Sequence, residues 1–144
     1  MKKNIVIGTI MMCMFVLFGC GKVTTTVDSS KVYTINEIKE IPEGKLISAK
    51  IKFDGPEQLM LEVTNGEDLD KIMEFYEKRE YSKSVTDIPA PGSNAAVVFV
   101  YDDGTELYLS CNSISDADGN RYTPGRDELE SYLNDLGKAA GVIE

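Results

Sequence analysis

The sequence predicts an α+β domain of two layers, an antiparallel sheet of two hairpins with two helices packed on one of its faces. Three observations carry that expectation. Two pairs of segments alternate apolar and polar residues with period two around turn-forming residues, and two other segments repeat apolar residues at helical spacing. Their order is strand-strand-helix-strand-strand-helix, which keeps each hairpin local and lets two apolar helix stripes cover one sheet face.

The first hairpin is built from Ile47, Ala49, Ile51 and Phe53, which alternate with Ser48, Lys50 and Lys52, and from Leu59, Leu61 and Val63, which alternate with Met60 and Glu62. Asp54-Gly55-Pro56 supplies the turn. A three-residue loop sets Ile51 opposite Leu59, Ala49 opposite Leu61 and Ile47 opposite Val63, so every apolar side chain shares one face. A loop of four would bury Glu62 instead.

Thr64 and Glu67 stand at capping-box spacing, and Leu69, Ile72, Met73 and Tyr76 follow at i, i+3, i+4 and i+7. This predicts the first helix. Glu67 with Lys71 and Glu74 with Lys78 form i,i+4 pairs on its wet side, each contributing about 0.2 to 0.5 kcal/mol. Residues 81 to 95, with Pro89, Pro91 and Gly92, show no period and predict a long loop.

The second hairpin runs from Ala96 to Tyr101 and from Thr105 to Cys111 around Asp102-Asp103-Gly104, and Asp-Gly between β-rich runs is a strong hairpin signal. Pairing about Asp103-Gly104 puts Val100 opposite Leu107, Val98 opposite Leu109 and Ala96 opposite Cys111, under the helices. Val97, Phe99 and Tyr101 then face outward, with Tyr108 opposite Phe99. Phe99, Tyr101 and Tyr108 are therefore the candidate binding surface. Two other accounts of that face stay open: a cover formed by the arm from Val32 to Ile41, or cross-strand aromatic pairs on an exposed sheet. After a polar stretch with room for a short extra hairpin, Thr123 and Pro124 open the last helix. Leu129, Tyr132, Leu133 and Leu136 form its stripe and Gly137 ends it.

The domain thus spans residues 45 to 137, followed by a tail from 138 to 144. Ahead of it, Lys2 and Lys3 precede an apolar run from Ile5 to Phe18, the pattern of a secretory signal peptide over residues 1 to 19. The run is short for a bilayer-spanning helix, which needs about 20 residues. Leu17-Phe18-Gly19-Cys20 resembles the bacterial lipobox, whose cysteine becomes the lipidated N-terminus after cleavage. That resemblance implies a diacylglyceryl Cys20 at the outer face of the cytoplasmic membrane, and two acyl chains suffice for stable anchoring. Residues 20 to 44 then hold the lipidated cysteine, a Thr- and Ser-rich tether and an arm in which Val32, Ile35, Ile38 and Ile41 recur every third residue, as one or two helical turns or an extended segment.

Charge and composition narrow the function. Of 15 Lys and Arg and 24 Asp and Glu, the signal segment removes Lys2 and Lys3, leaving 13 basic residues and a net charge of −11. Such acidity disfavours nucleic acid and adhesion to anionic lipid, so the covalent lipid at Cys20 has to do the anchoring. Histidine is absent, which removes the commonest general base and metal ligand. Cys13 leaves with the signal and Cys20 is alkylated, so Cys111 has no disulfide partner within the chain, and core packing is its expected role.

Ile41-Pro42 ahead of the first hairpin and Ser84-Val85-Thr86-Asp87-Ile88-Pro89 after the first helix are similar to segments of a family of small lipoproteins from Gram-positive bacteria. The resemblance covers residues 41 to 89, while the part after Tyr108 departs from the Tyr-rich ending of that family. It implies a lipid-anchored extracytoplasmic domain, and the family carries no assigned activity.

Asp116-Ala117-Asp118-Gly119-Asn120 with Asp127 has the look of a calcium loop, but Arg121 stands where an EF-hand needs glycine, and Asp-Gly-Asn is ordinary turn chemistry. Asp127, Glu128 and Glu130 suit the first turn of a helix through its dipole. No metal, cofactor or catalytic set is therefore expected. The expectation is a non-enzymatic binding domain for an envelope protein or a cell-wall ligand. Its rivals are a carboxylate-dependent glycan hydrolase and a calcium- or small-ligand-responsive accessory lipoprotein.

Overall fold

The computed structural model describes residues 30–55, 57–85 and 95–144. The signal segment, the lipobox residues Leu17, Phe18, Gly19 and Cys20, most of the tether and the Pro89–Pro91 stretch lie outside the described residues. The fold is α+β, with three helices and two four-stranded antiparallel sheets. In chain order the elements are β1 (Val32–Tyr33), α1 (Ile35–Ile38), β2 (Leu46–Lys52), β3 (Met60–Val63), α2 (Gly66–Lys78) and β4 (Tyr81–Lys83). They continue with β5 (Ala96–Tyr101), β6 (Glu106–Ser110), β7 (Ile114–Ser115), β8 (Arg121–Pro124) and α3 (Leu129–Ala139).

Both expected hairpins join in one sheet, ordered β3-β2-β5-β6. In the first, Ala49 pairs with Val63 and Ile51 with Leu61, and Phe53 N–H donates to the Leu59 carbonyl at 3.0 Å. The register is shifted by two residues from the expected one. A shift of two keeps every side chain on its face, so the apolar set stays together, and Phe53 joins it in place of Ile47. Ile47 lies at a register irregularity between Leu46 and Ser48 and is 46% exposed.

The second hairpin differs by one residue, and that reverses its faces. Gly104 N–H donates to the Tyr101 carbonyl at 3.0 Å, Tyr101 N–H donates to the Thr105 carbonyl at 2.9 Å, and Gly104 has φ +84°. This is a three-residue loop with glycine in the left-handed region, in place of a two-residue Asp-Gly turn. Val97 consequently pairs with Leu109, Phe99 with Leu107 and Val98 with Tyr108. Val97 and Phe99 are fully buried and Tyr101 is 3% exposed, so these three form the core face and Tyr108 the outer one.

The second sheet, ordered β1-β4-β8-β7, is made of strands too short to show a period. It takes up two segments expected elsewhere: Tyr81 to Lys83, placed in a loop, and Arg121 to Pro124, where Thr123-Pro124 was expected to open the last helix. The arm is part of the domain. Val32 and Tyr33 pair with Ser82 and Tyr81, and Ile35 and Ile38 are buried in the common core. Glu37 closes α1 by accepting hydrogen bonds from the Thr34 N–H at 2.8 Å and the Thr34 hydroxyl at 3.2 Å.

Helix α2 begins at Asn65, one residue later than the expected Thr64 cap, with the Asn65 side chain accepting from Glu67 N–H at 3.0 Å. Its stripe of Leu69, Ile72 and Tyr76 enters the core, where the Tyr76 ring meets Phe99 edge-on and its hydroxyl donates to the Leu109 carbonyl at 3.1 Å. Leu129 and Leu133 of α3 join the same core. Gly137 lies inside α3 and does not end it. A methyl group there would come within 2.7 Å of Phe53 Cζ, so glycine is what lets this helix approach the sheet. No helix among the described residues is long and apolar enough to cross a membrane.

Candidate functional site

Along α2, Lys71, Phe75 and Lys78 recur at i, i+4 and i+7, one flank away from the buried stripe. Across from them, Glu128, Ser131, Tyr132 and Asp135 form the matching row at the start of α3. Cavities of about 350, 240 and 400 Å³ line up between the rows and share Phe75. The last is continuous, through Arg79, Gly125, Arg126 and Asp127, with a fourth of about 300 Å³ that reaches Cys111 and Asn112. Together they make one furrow. Each part is near the lower bound of small-ligand pockets, and the whole has the length of a bound chain segment.

Two half-buried rings, Phe75 and Tyr132, make the floor, 5.6 Å apart and tilted by 37°. Lys71 does not need the expected Glu67 partner, since its ammonium sits 4.1 Å from the Tyr132 centroid, within cation–π range. The Tyr132 hydroxyl donates to Asp68 at 2.7 Å. Burial and that carboxylate push its pKa up to about 12, so it stays a donor. Lys78 pairs with Glu74, as expected from the sequence.

The furrow bends around a rigid clamp. Arg79, 5% exposed at its side chain, donates through Nη2 to Asp127 Oδ1 at 2.8 Å and through Nε to the other carboxylate oxygen. Its Nη1 donates to the Cys111 carbonyl at 2.9 Å, and its guanidinium lies 5.2 Å from the Tyr76 centroid. A planar fork of donors suits a carboxylate in this way and a lysine would not. Burial works against the Arg79 charge, but the hydrogen bond and charge of Asp127 outweigh it and raise the pKa. Burial likewise works to raise Asp127, and the bonds from Arg79 and Leu129 N–H overcome it and lower the pKa. Asp127 is thus fixed as a carboxylate whose oxygens are already taken.

Next to the clamp, Cys111 is free and buried, with its sulfur 3.6 Å from the Tyr76 hydroxyl. Burial pushes its pKa up, more than the Tyr76 hydrogen bond and the Arg79 charge pull it down. That suits core packing and works against a thiolate nucleophile. Tyr81, pushed up to about 12 chiefly by burial, keeps a buried hydroxyl without a partner among the described residues.

The residues singled out from sequence fall elsewhere. Phe99 and Tyr101 are core, so Phe99, Tyr101 and Tyr108 are not one surface. Tyr108, 54% exposed, shares the outer sheet face with Met60, 53% exposed, and lies 5.9 Å from the Lys52 ammonium. The Asp116 carboxylate accepts from Asp118 N–H, Asn120 N–H, Asn120 Nδ2 and the Tyr122 hydroxyl at 2.8 to 3.0 Å, closing the turn between β7 and β8. Asp127 is far from a shared role with it, engaged instead by Arg79. Among the described residues no three acids or thiols gather as a metal would require.

Phe75, Tyr132, Arg79 and Asp127 are the functional candidates that sequence reasoning passed over. Tyr132 was assigned to the core stripe and Asp127 to the helix dipole, and only a pairing between the two helix ends would have joined them. No protein-family model, curated protein or solved structure matches the chain.

Proposed function

We propose that this chain is a lipid-anchored extracytoplasmic domain, held at the outer face of the cytoplasmic membrane through Cys20, that binds a segment of an envelope protein in the furrow between α2 and α3. The observation that carries the binding role is the floor of the furrow: two half-buried rings flanked by lysines on the α2 side and carboxylates on the α3 side. Aromatic anchors in a depression with charged rims are the usual make-up of an interface centre. Opposite charge on the two walls would orient a dipolar chain more readily than a simple anion. Recognition is favoured over catalysis because Asp127, Arg79 and Cys111 are spent on one another's neighbourhood, with no free base between them. The signal pattern, the lipobox resemblance and the likeness of residues 41 to 89 to small Gram-positive lipoproteins support the setting.

The test is capture of the lipidated protein from the producing cell's own membranes, comparing wild type with Phe75→Ser and with Met60→Ser. Losing one aromatic anchor should weaken the complex at least about tenfold, the effect of 1.4 kcal/mol. Met60→Ser should retain it. Equal capture by both variants and wild type would sink the assignment of the furrow.

A further inference from the structure

The other flank of α2 borders a separate cavity. Asp70, Met73 and Glu77 recur there at i, i+3 and i+7, facing Ile41, Pro42 and Leu46 across a space of about 340 Å³, and Tyr101 completes the lining. No lysine or arginine lines it, and none of its lining residues belongs to the furrow. Two carboxylates on a helix edge would by themselves be a solvated face. Tyr101 changes that. Its side chain is 3% exposed, yet its buried hydroxyl has no hydrogen-bond partner among the described residues. Native proteins rarely leave a buried hydroxyl unpaired, because the lost hydration is not repaid. The charge of Glu77 adds to burial in raising the Tyr101 pKa, which locates that carboxylate toward the hydroxyl.

We infer that this cavity is a binding site for a linear aliphatic diamine in its doubly charged form. Seven residues of helix separate Asp70 from Glu77 by about 10 Å along the axis, too far for one ammonium group to serve both with ease. Two ammonium groups joined by a short methylene chain would each meet one carboxylate, since an ammonium offers three donors and no acceptor. The methylenes would lie on Met73, Leu46 and Ile41, and the Tyr101 oxygen would accept one remaining N–H. Such a ligand satisfies together every feature that is unsatisfied alone.

The test uses the full-length lipidated protein in neutral detergent, titrated calorimetrically with the five-carbon α,ω-diamine, the five-carbon monoamine and the five-carbon diol. The diamine should bind at least tenfold more tightly than the monoamine, and the diol should not bind. Asp70→Asn or Glu77→Gln should each bring the diamine down to the monoamine level while leaving the melting temperature near that of wild type. Tyr101→Phe should raise the melting temperature of the free protein, because it removes an unpaired buried hydroxyl, and still weaken diamine binding severalfold. Equal binding of diamine and monoamine, diamine binding unchanged in both carboxamide variants, or a lower melting temperature for Tyr101→Phe would each overturn the inference. Loss of Phe75-dependent capture leaves it untouched, since the two sites share no residue.

Discussion

Arg79 and Asp127 lie 48 residues apart in sequence and are joined by two parallel hydrogen bonds, tying the C-terminal cap of α2 to the residue just before the cap of α3. The helices that form the furrow are therefore fixed to each other at one end by a single ion pair. Removing one partner leaves the other's charge buried and unpaired, which is where such pairs are costly.

Asp127→Ala should lower stability by about 3 kcal/mol, the low end for breaking a buried pair, because Asp127 keeps 26% of its side-chain surface in water. Arg79→Met combined with Asp127→Leu should cost less than Asp127→Ala alone, since no orphaned charge remains. Urea unfolding of the three proteins checks both, and a double variant weaker than the single one would contradict this account.

The pH dependence follows from the same pair. The Asp127 carboxyl is held below its ordinary value of 3.8, so the folded protein takes up its proton less readily than the unfolded chain does. Its contribution is complete above the unfolded value and is lost as the pH falls through the folded one. Asp127→Asn should therefore flatten the loss of stability below about pH 4, relative to wild type. Parallel stability curves for the two proteins would mean that the pair contributes no such term.

Gly137→Ala would normally gain about 1 kcal/mol inside a helix. Here the added methyl meets Phe53 Cζ at 2.7 Å and Ile143 Cδ1 at 3.0 Å, so a net loss of about 1 to 3 kcal/mol is expected from overpacking. Adding Phe53→Leu should recover part of it. A stabilised single variant would show that α3 does not rest on the sheet as described.

For the anchor, Cys20→Ala should leave the signal uncleaved at that site or release the protein from the membrane pool. Mass and membrane partition identical to wild type would remove the basis for the proposed location.

How far the sequence was legible depended on the length of its periods. The stripe of Leu69, Ile72 and Tyr76 and the alternation of Ala49, Ile51 and Phe53 each span enough residues to declare one buried face, and both are seen. Strands of two to four residues, such as Val32–Tyr33 and Arg121–Pro124, hold too few alternations to separate them from loop, so the second sheet stayed hidden. Thr123-Pro124 has the chemistry of a helix start, and tertiary pairing with Ser82 and Tyr81 overrides it. The second hairpin failed for a sharper reason. Its central strand, Ala96 to Tyr101, is apolar on both faces, so the pattern could not choose between registers, and the turn at Gly104 decided which side Phe99 faces. The furrow was illegible because its walls come from residues that each have an ordinary local explanation.

The central claim is that the α2–α3 furrow holds an envelope protein. It is tested most directly by placing a photoreactive phenylalanine analogue at Phe75, and separately at Tyr108, in the lipidated protein and irradiating intact cells. The account predicts a discrete crosslinked species, containing one envelope protein, from position 75 and not from position 108. A discrete species from 108 alone, or none from 75 while the protein remains folded and membrane-bound, would contradict it.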